Sequence, residues 1–281
     1  MSGATCIAFV GARKVYDSRG DETIEVEVRT LGGMGKVAAP AGKSKGKHEV
    51  AYYPPGGVDE AVRKVKELVA PRLMGIDAGN QRLVDRLLHE IDGTEDFSNI
   101  GGNAAYAISI ATAEAAAFSS KAPLFAYLSK ELEFELPLPL GNVVGGGKHA
   151  GPGAPDIQEI LVLPVGARSV REAIAANIAV HKRVGKALQQ KAPGFTGGRG
   201  DEGAWAPRMR SEDAIEVVAS ACEAVSAELG VEIRVGLDVA ASSLWREGEQ
   251  AYVYASDGFS LSQGEQIDFI ASLIEKYKLI Y

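Results

Sequence analysis

Apolar and polar residues alternate along Thr23-Ile24-Glu25-Val26-Glu27-Val28, the period of a strand with one buried and one wet face. Asp17-Ser18-Arg19-Gly20 reads as a turn before it, and Gly32-Gly33 closes it, which makes Met34 to Pro40 its hairpin partner. The pattern then lapses. Pro40 to Glu49 holds two glycines and three lysines and no large apolar residue before His48, so it cannot anchor itself in a core and is expected to be a mobile loop. Helical periodicity follows. Val58, Val62, Val65, Leu68 and Val69 fall on one face, with Pro71 expected to stop the run. From Gly102 to Leu128 the chain is rich in Ala, with Ile108, Ala111, Ala115 and Phe118 spaced for close helix packing. These elements predict an α+β unit over residues 1–135.

The texture changes at Leu136-Pro137-Leu138-Pro139-Leu140, the expected boundary of a second unit over residues 136–281. Strands are expected near Asn142, over Glu159 to Val165 and over Glu232 to Val239. Val170, Ile174, Ile178, His181, Val184 and Leu188 define one helix face, and Ala214 to Leu229 forms another helix. Ser262 and Glu265 make a capping box for a helix with Ile267, Ile270, Ile274 and Tyr277 on one side, after which Leu279-Ile280-Tyr281 reads as the opening of a strand. Strands alternating with helices predict a parallel sheet or a (β/α) barrel. A complete eight-stranded barrel takes roughly 200 or more residues and only about 140 follow the boundary, so a partial barrel, about half present, is expected. An open half-barrel exposes an apolar edge.

Composition narrows the function. The chain is 46% hydrophobic and 24% charged, ordinary for a soluble globular protein, with a net charge of −7. No long Lys/Arg run is present, which argues against nucleic acid and anionic membranes as partners. An acidic chain that handles an anionic substrate needs local cations, either Lys/Arg or a metal. Cys6 and Cys222 are far apart and in no metal-like spacing, as for reduced thiols in a cytoplasmic protein. No segment has the pattern of a signal peptide or the length of a membrane span. Asn, Gln, Cys and Met are sparse, a composition that leans towards a thermophile.

Three common motifs fail. Gly42-Lys43-Ser44 resembles the end of a P-loop, but Val37 stands where that motif needs glycine. Gly198, Gly200 and Gly203 fit G-x-G-x-x-G without the preceding strand that dinucleotide binding requires. Arg199-Gly200-Asp201 matches a cell-adhesion tripeptide by chance. What remains is a set of polar residues at strand ends and in glycine-rich loops. Asp238 ends the apolar run Ile233 to Leu237; in a barrel that position faces the active site, and a carboxylate there suits Mg²⁺, the alternative being a helix N-cap. Asp201-Glu202 lies within Gly197 to Gly203, as a buried acid pair or a solvated turn. Glu159 opens an apolar strand, where an isolated acid is usually exposed. His149 sits between Gly145-Gly146-Gly147 and Gly151, glycines that permit close backbone approach to a ligand.

Taken together, and in this order, five segments resemble enolase: Ala12 to Gly20, Ala41 to Glu49, Gly146 to Gly151 with Gln158-Glu159, Gly200-Asp201-Glu202-Gly203, and Gly236 to Ser242. The resemblance covers nearly the whole chain. It implies a Mg²⁺-dependent dehydration of 2-phosphoglycerate to phosphoenolpyruvate in glycolysis. By the same resemblance Asp238 is a metal ligand and Ser44, on the loop, helps bind a second Mg²⁺ with the substrate phosphate. Glu202 is the acid that protonates the leaving hydroxyl, with Glu159 beside it, and His149 and Glu159 contact the substrate. The family's base and its two other metal carboxylates fall on later strands that this sequence does not contain. The implied assembly is a homo-oligomer, or a partner chain supplying the rest of the barrel. Departures from the family pattern are Ala41, Lys43 and Lys45 in the loop, Ala204-Trp205, Ser243-Leu244, and Pro152 to Pro155. Three readings follow: an enolase recorded in part, a non-catalytic enolase-like binding protein, and an enzyme with an altered substrate.

Overall fold

The computed structural model describes residues 3–42, 46, 48–129, 134–200 and 202–281. The chain divides into two compact units, Met1–Phe134 and Glu135–Tyr281.

In the first unit β1 (Ile7–Tyr16), β2 (Glu22–Thr30) and β3 (Met34–Ala38) form an antiparallel sheet in that order. The alternation read from the sequence is the burial pattern observed. Ile24, Val26 and Val28 are fully buried, while Glu25 and Glu27 stand on the wetter face. The buried face packs on α4 (Gly102–Ser119), whose alanines bring helix and sheet together.

The helix preceding α4 departs from expectation at Pro71. α1 (Gly57–Lys64) runs through a π-helical turn, Val65–Val69, into α2 (Ala70–Leu73), so the proline does not stop the run. The Ala70 N–H reaches back five residues to the Val65 carbonyl, which shifts the ladder, and Pro71 falls in the first turn of α2, where its missing N–H costs nothing. Leu68, expected inside, is exposed. α3 (Gln81–Asp92) is capped by Asn80, whose side chain accepts from the Leu83 N–H. The Ala-rich stretch breaks after Ser119, and α5 (Leu124–Leu128) restarts it behind Pro123. Phe118, also expected inside, is 67% exposed.

In the second unit β4 (Gly141–Gly145), β5 (Glu159–Leu163) and β6 (Arg234–Asp238) pair in that order, and both pairings are antiparallel. The expected all-parallel arrangement is thereby corrected, and the connections give the reason. β4 joins β5 through a loop with only a single 3₁₀ turn, Gly147–His149, so β5 must come straight back. Between β5 and β6 the chain makes two helical passes, α6 (Val170–Lys191) and α7 (Ser211–Leu229), and an even number of passes returns it to the end where β5 finished. β4 and β6 are thus parallel to each other, with β5 reversed between them. The C-terminal ends of β4 and β6 and the N-terminal end of β5 share one end of the sheet.

α6 buries Val184 and Leu188 as expected, but the first half of its buried face is rotated from the one expected. Ala173, Ala176, Val180, Val184 and Leu188 face the core, while Val170, Ile174 and Ile178 are exposed. Small residues on the packed face let α6 lie close to the sheet. After β6 a single helical turn, α8 (Ala241–Leu244), leads into a small antiparallel sheet of β7 (Trp245–Arg246), β8 (Ala251–Tyr254) and β9 (Phe259–Leu261). Tyr254 is wholly buried there, stacked on Phe259, with its hydroxyl donating to Gln266 Oε1 at 3.0 Å. The Ser262–Glu265 capping box forms as expected and opens α9 (Gln263–Tyr277). Leu273 and Gln266 are buried and Ile270 and Tyr277, from the expected face, pack against the core, whereas Ile267 is 71% exposed. Past α9, the Ile280 N–H donates to the Val235 carbonyl and the Leu237 N–H to Tyr281 O, so the last residues lie along β6. The strands among the described residues form three three-stranded sheets and no closed barrel.

Candidate active site

The reversed direction of β5 decides where the acids go. Glu159 is the first residue of β5 and Asp238 the last of β6, yet the two are register partners, and Gly145 at the end of β4 is the partner of Glu159 on its other side. Beyond Gly145 the loop folds back on itself: the Gly146 N–H donates to the Gln158 carbonyl at 2.8 Å and the His149 N–H to the Gly146 carbonyl at 2.9 Å. This carries the His149 side chain inward to the same sheet end, where its residue is 9% exposed.

Glu202 arrives from the segment between α6 and α7. That segment attaches to β4 as a short ribbon: the Trp205 N–H donates to the Val143 carbonyl and the Gly145 N–H to the Trp205 carbonyl, each at 2.9 Å. Gly200 passes so close to His149 that a Cβ there would stand 2.5 Å from the His149 carbonyl oxygen, so only glycine fits. His149 Nδ1 lies 3.3 Å from Glu202 Oε1, and His149 Nε2 lies 3.9 Å from Glu159 Oε1. The Asn142 amide, on β4, donates to Glu202 Oε2 at 3.2 Å.

Burial, together with the charges of Glu202 and Asp238, pushes the Glu159 carboxyl above its ordinary value, against the opposing pull of His149, and a hydrogen bond with Glu202 adds to the rise. A carboxyl group held protonated to higher pH beside a second carboxylate is the equipment of general acid catalysis near neutrality.

The structure therefore brings together four of the residues singled out in the sequence: His149, Glu159, Glu202 and Asp238. Ser44, with Lys43 and Lys45 beside it, and Asp201 lie outside the described residues. Sequence reasoning missed Asn142, which had only marked a strand position, and His181, which had been placed in a core stripe. His181 instead stacks on Trp205, with ring centroids 4.6 Å apart. Neither carries a motif, and only the folded contact reveals them.

His149, Glu159 and Glu202 offer ligand atoms that all lie within 4.8 Å of one another, close enough to hold a metal ion. Their donor set includes an imidazole nitrogen, which suits zinc and its neighbours better than Mg²⁺. Asp238 has the harder chemistry: a carboxylate fixed at a strand end, Oδ1 taking the Ala240 N–H at 2.9 Å. Mg²⁺ commonly takes one or two protein carboxylates and completes its shell with water and substrate oxygens, so Asp238 fits that ion as one ligand.

Known proteins match the chain along nearly its whole length. The family model for the enolase N-terminal domain matches residues 7–128, and that for the enolase C-terminal TIM barrel domain matches residues 133–281. The chain belongs to the enolase family. An enolase of Methanosphaera stadtmanae is 50% identical over 275 residues, covering 98% of this chain, and one of Methanothermobacter thermautotrophicus is 49% identical over the same length. An enolase of Halorubrum lacusprofundi is 47% identical over 279 residues. The chain spans 66% of the length of each of the first two relatives and 68% of the third. Its fold is accordingly the enolase N-terminal α+β domain followed by part of the enolase barrel domain. No helix among the described residues is long and apolar enough to cross a membrane.

Proposed function

We propose that the protein to which this chain belongs removes water from 2-phosphoglycerate to give phosphoenolpyruvate, the glycolytic reaction for which its relatives are named. The observation that carries the reading is the convergence of Glu202, His149 and Glu159 on the sheet end where Asp238 is the register partner of Glu159. Glu202 protonates the departing hydroxyl. Glu159, whose carboxyl is pushed above its ordinary value by burial and by its acidic neighbours, hydrogen-bonds Glu202 and hands it a proton after each turnover, taking one from solvent in exchange. His149, buried between the two carboxylates, fixes their spacing and presents its ring to the substrate. Asn142 holds the other oxygen of Glu202 and so aims its carboxyl. Asp238 would hold Mg²⁺, which, when bound, stabilises the negative charge that builds on the substrate carboxylate as its α-proton leaves. That proton passes to a base outside the residues gathered here.

Glu202→Gln in the full-length protein tests this. Phosphoenolpyruvate formation is expected to fall by about 10²-fold or more while Mg²⁺ affinity, read by titration calorimetry, stays as in the wild type. Wild-type turnover in this variant would overturn the acid role.

A further inference from the structure

Glu202 sits on a loop that departs from the family pattern at Ala204-Trp205, and Trp205 is the residue through which α6 grips that loop. The Trp205 Nε1 donates to the His181 carbonyl at 2.8 Å, and the two rings stack at an interplanar angle of 21°. His181 Nε2 lies 3.1 Å from the Gly203 carbonyl; since a carbonyl oxygen only accepts, the imidazole donates there and its tautomer is set. Burial holds His181 below its ordinary value, consistent with the neutral ring this bond needs. The Arg199 guanidinium lies 4.4 Å from the centre of the Trp205 ring, and the backbones of Arg199 and Trp205 pair as an antiparallel bridge across the loop. On α6 itself Gly185 makes room for the ring, because a Cβ there would come within 2.5 Å of Trp205 Cζ2. One turn of α6 therefore holds both the residue after Glu202 and the base of its loop, while Trp205 ties that loop to β4.

We propose that Trp205 and His181 are positioning residues that clamp the Glu202 loop onto α6 and β4, fixing the Glu202 carboxyl against His149 without touching the substrate. The proposal rests on the reading of Glu202 as the acid. A group that positions the acid governs the chemical step more than substrate affinity, since displacing a reacting group by about 1 Å can cost up to about 10²-fold. The loop also carries its own reporter, because Arg199 is a trypsin site whose backbone pairing with Trp205 must open before cleavage.

The test compares Trp205→Leu, His181→Leu and His181→Gln in the full-length protein. Both Leu variants are expected to lower kcat by about tenfold with KM changed by less than about threefold, and to speed tryptic cleavage after Arg199 by about tenfold. His181→Gln, which can still donate to the Gly203 carbonyl, is expected to recover much of both. If Trp205→Leu fails to fold, Gly185→Ala pushes the same ring aside without altering its chemistry. Faster cleavage with wild-type kcat would overturn the proposal, as would lower kcat with unchanged cleavage, or no change in either. Glu202→Gln is measured in parallel. Should it turn over like the wild type, the acid role is what falls, and cleavage after Arg199 still judges the clamp.

Discussion

Glu25 and Glu159 are shielded from water to the same degree, with 17% and 18% of their side chains exposed, and they keep opposite company. Glu25 stands mid-strand on β2 with Arg13 at 2.7 Å and Lys36 at 3.8 Å, so its charge is matched from both neighbouring strands. Glu159 stands at a strand end with Glu202 and Asp238 near it, and among the described residues His149 is what opposes them. The two sheets otherwise share one plan: three strands, sequential order, antiparallel pairing. What separates a structural acid from a chemical one here is therefore neither burial nor sheet type. It is whether the fold supplies a counter-charge or withholds it. The first case makes an ordinary cross-strand pair, and the second raises the carboxyl's hold on a proton where a reaction can use it.

The sharpest way to break this comparison is to neutralise both acids. Glu159→Gln is expected to lower phosphoenolpyruvate formation by about 10²-fold, whereas Glu25→Gln leaves turnover at the wild-type level. On stability the order reverses. Glu25→Gln should cost up to about 1 kcal/mol in a denaturant titration, less at high salt, because its cations are largely exposed. Glu159→Gln should stabilise the protein at neutral pH. The sign follows from linkage. The folded-state carboxyl lies above its ordinary value of 4.5, so the native state holds a proton that the unfolded chain gives up, and stability falls as pH rises from there through the raised value. Replacing Glu159 by a neutral amide should flatten that slope, which urea unfolding between acid and neutral pH would read; an unchanged slope would refute the cause assigned to the shift. The smallest effect concerns the backbone next to Asp238. Ala240 has φ of 48°, a left-handed conformation that disfavours a Cβ. Ala240→Gly should gain about 0.5 kcal/mol, the strain relieved less the extra freedom of the unfolded chain.

Much of the fold was legible where local pattern and tertiary packing agree. The alternation of β2, its hairpin partner β3 and the Ser262–Glu265 cap are decided within a few residues of themselves. Strand direction was not. Nothing near Glu159 in sequence says that β5 runs backwards, because direction depends on how many helical passes separate two strands. Helix faces were misread in part. In α6 Val184 and Leu188 are buried as expected, but the rest of the packed face is Ala173, Ala176 and Val180, and Ile174 and Ile178 turn outward; in α9 Ile270 and Tyr277 pack on the core while Ile267 turns outward. Pro71 was read as a stop, although a π turn ahead of it absorbs the missing N–H. At the site, Asp238 and the glycine-flanked His149 were visible as single residues with plausible alternatives. Their convergence with Glu202 and Asn142 was not, since these come from segments up to about a hundred residues apart and meet only through register and loop attachment.

The reversed middle strand also governs which changes of length the site can absorb. The chain leaves this end of the sheet along β5, travels through α6 and α7, and returns along β6, so paired changes of length at the far ends of the two helices would leave Glu159 opposite Asp238 while displacing Glu202, which the segment between the helices carries. A slip of a single residue in β5 is another matter. It would set Ile160 against Asp238 and turn the Glu159 side chain to the other face of the sheet, where the helices pack. The Glu159–Asp238 pairing is thus set by the register of β5 alone and is intolerant of a one-residue shift there, so variation in this part of the chain should spare the five residues of β5.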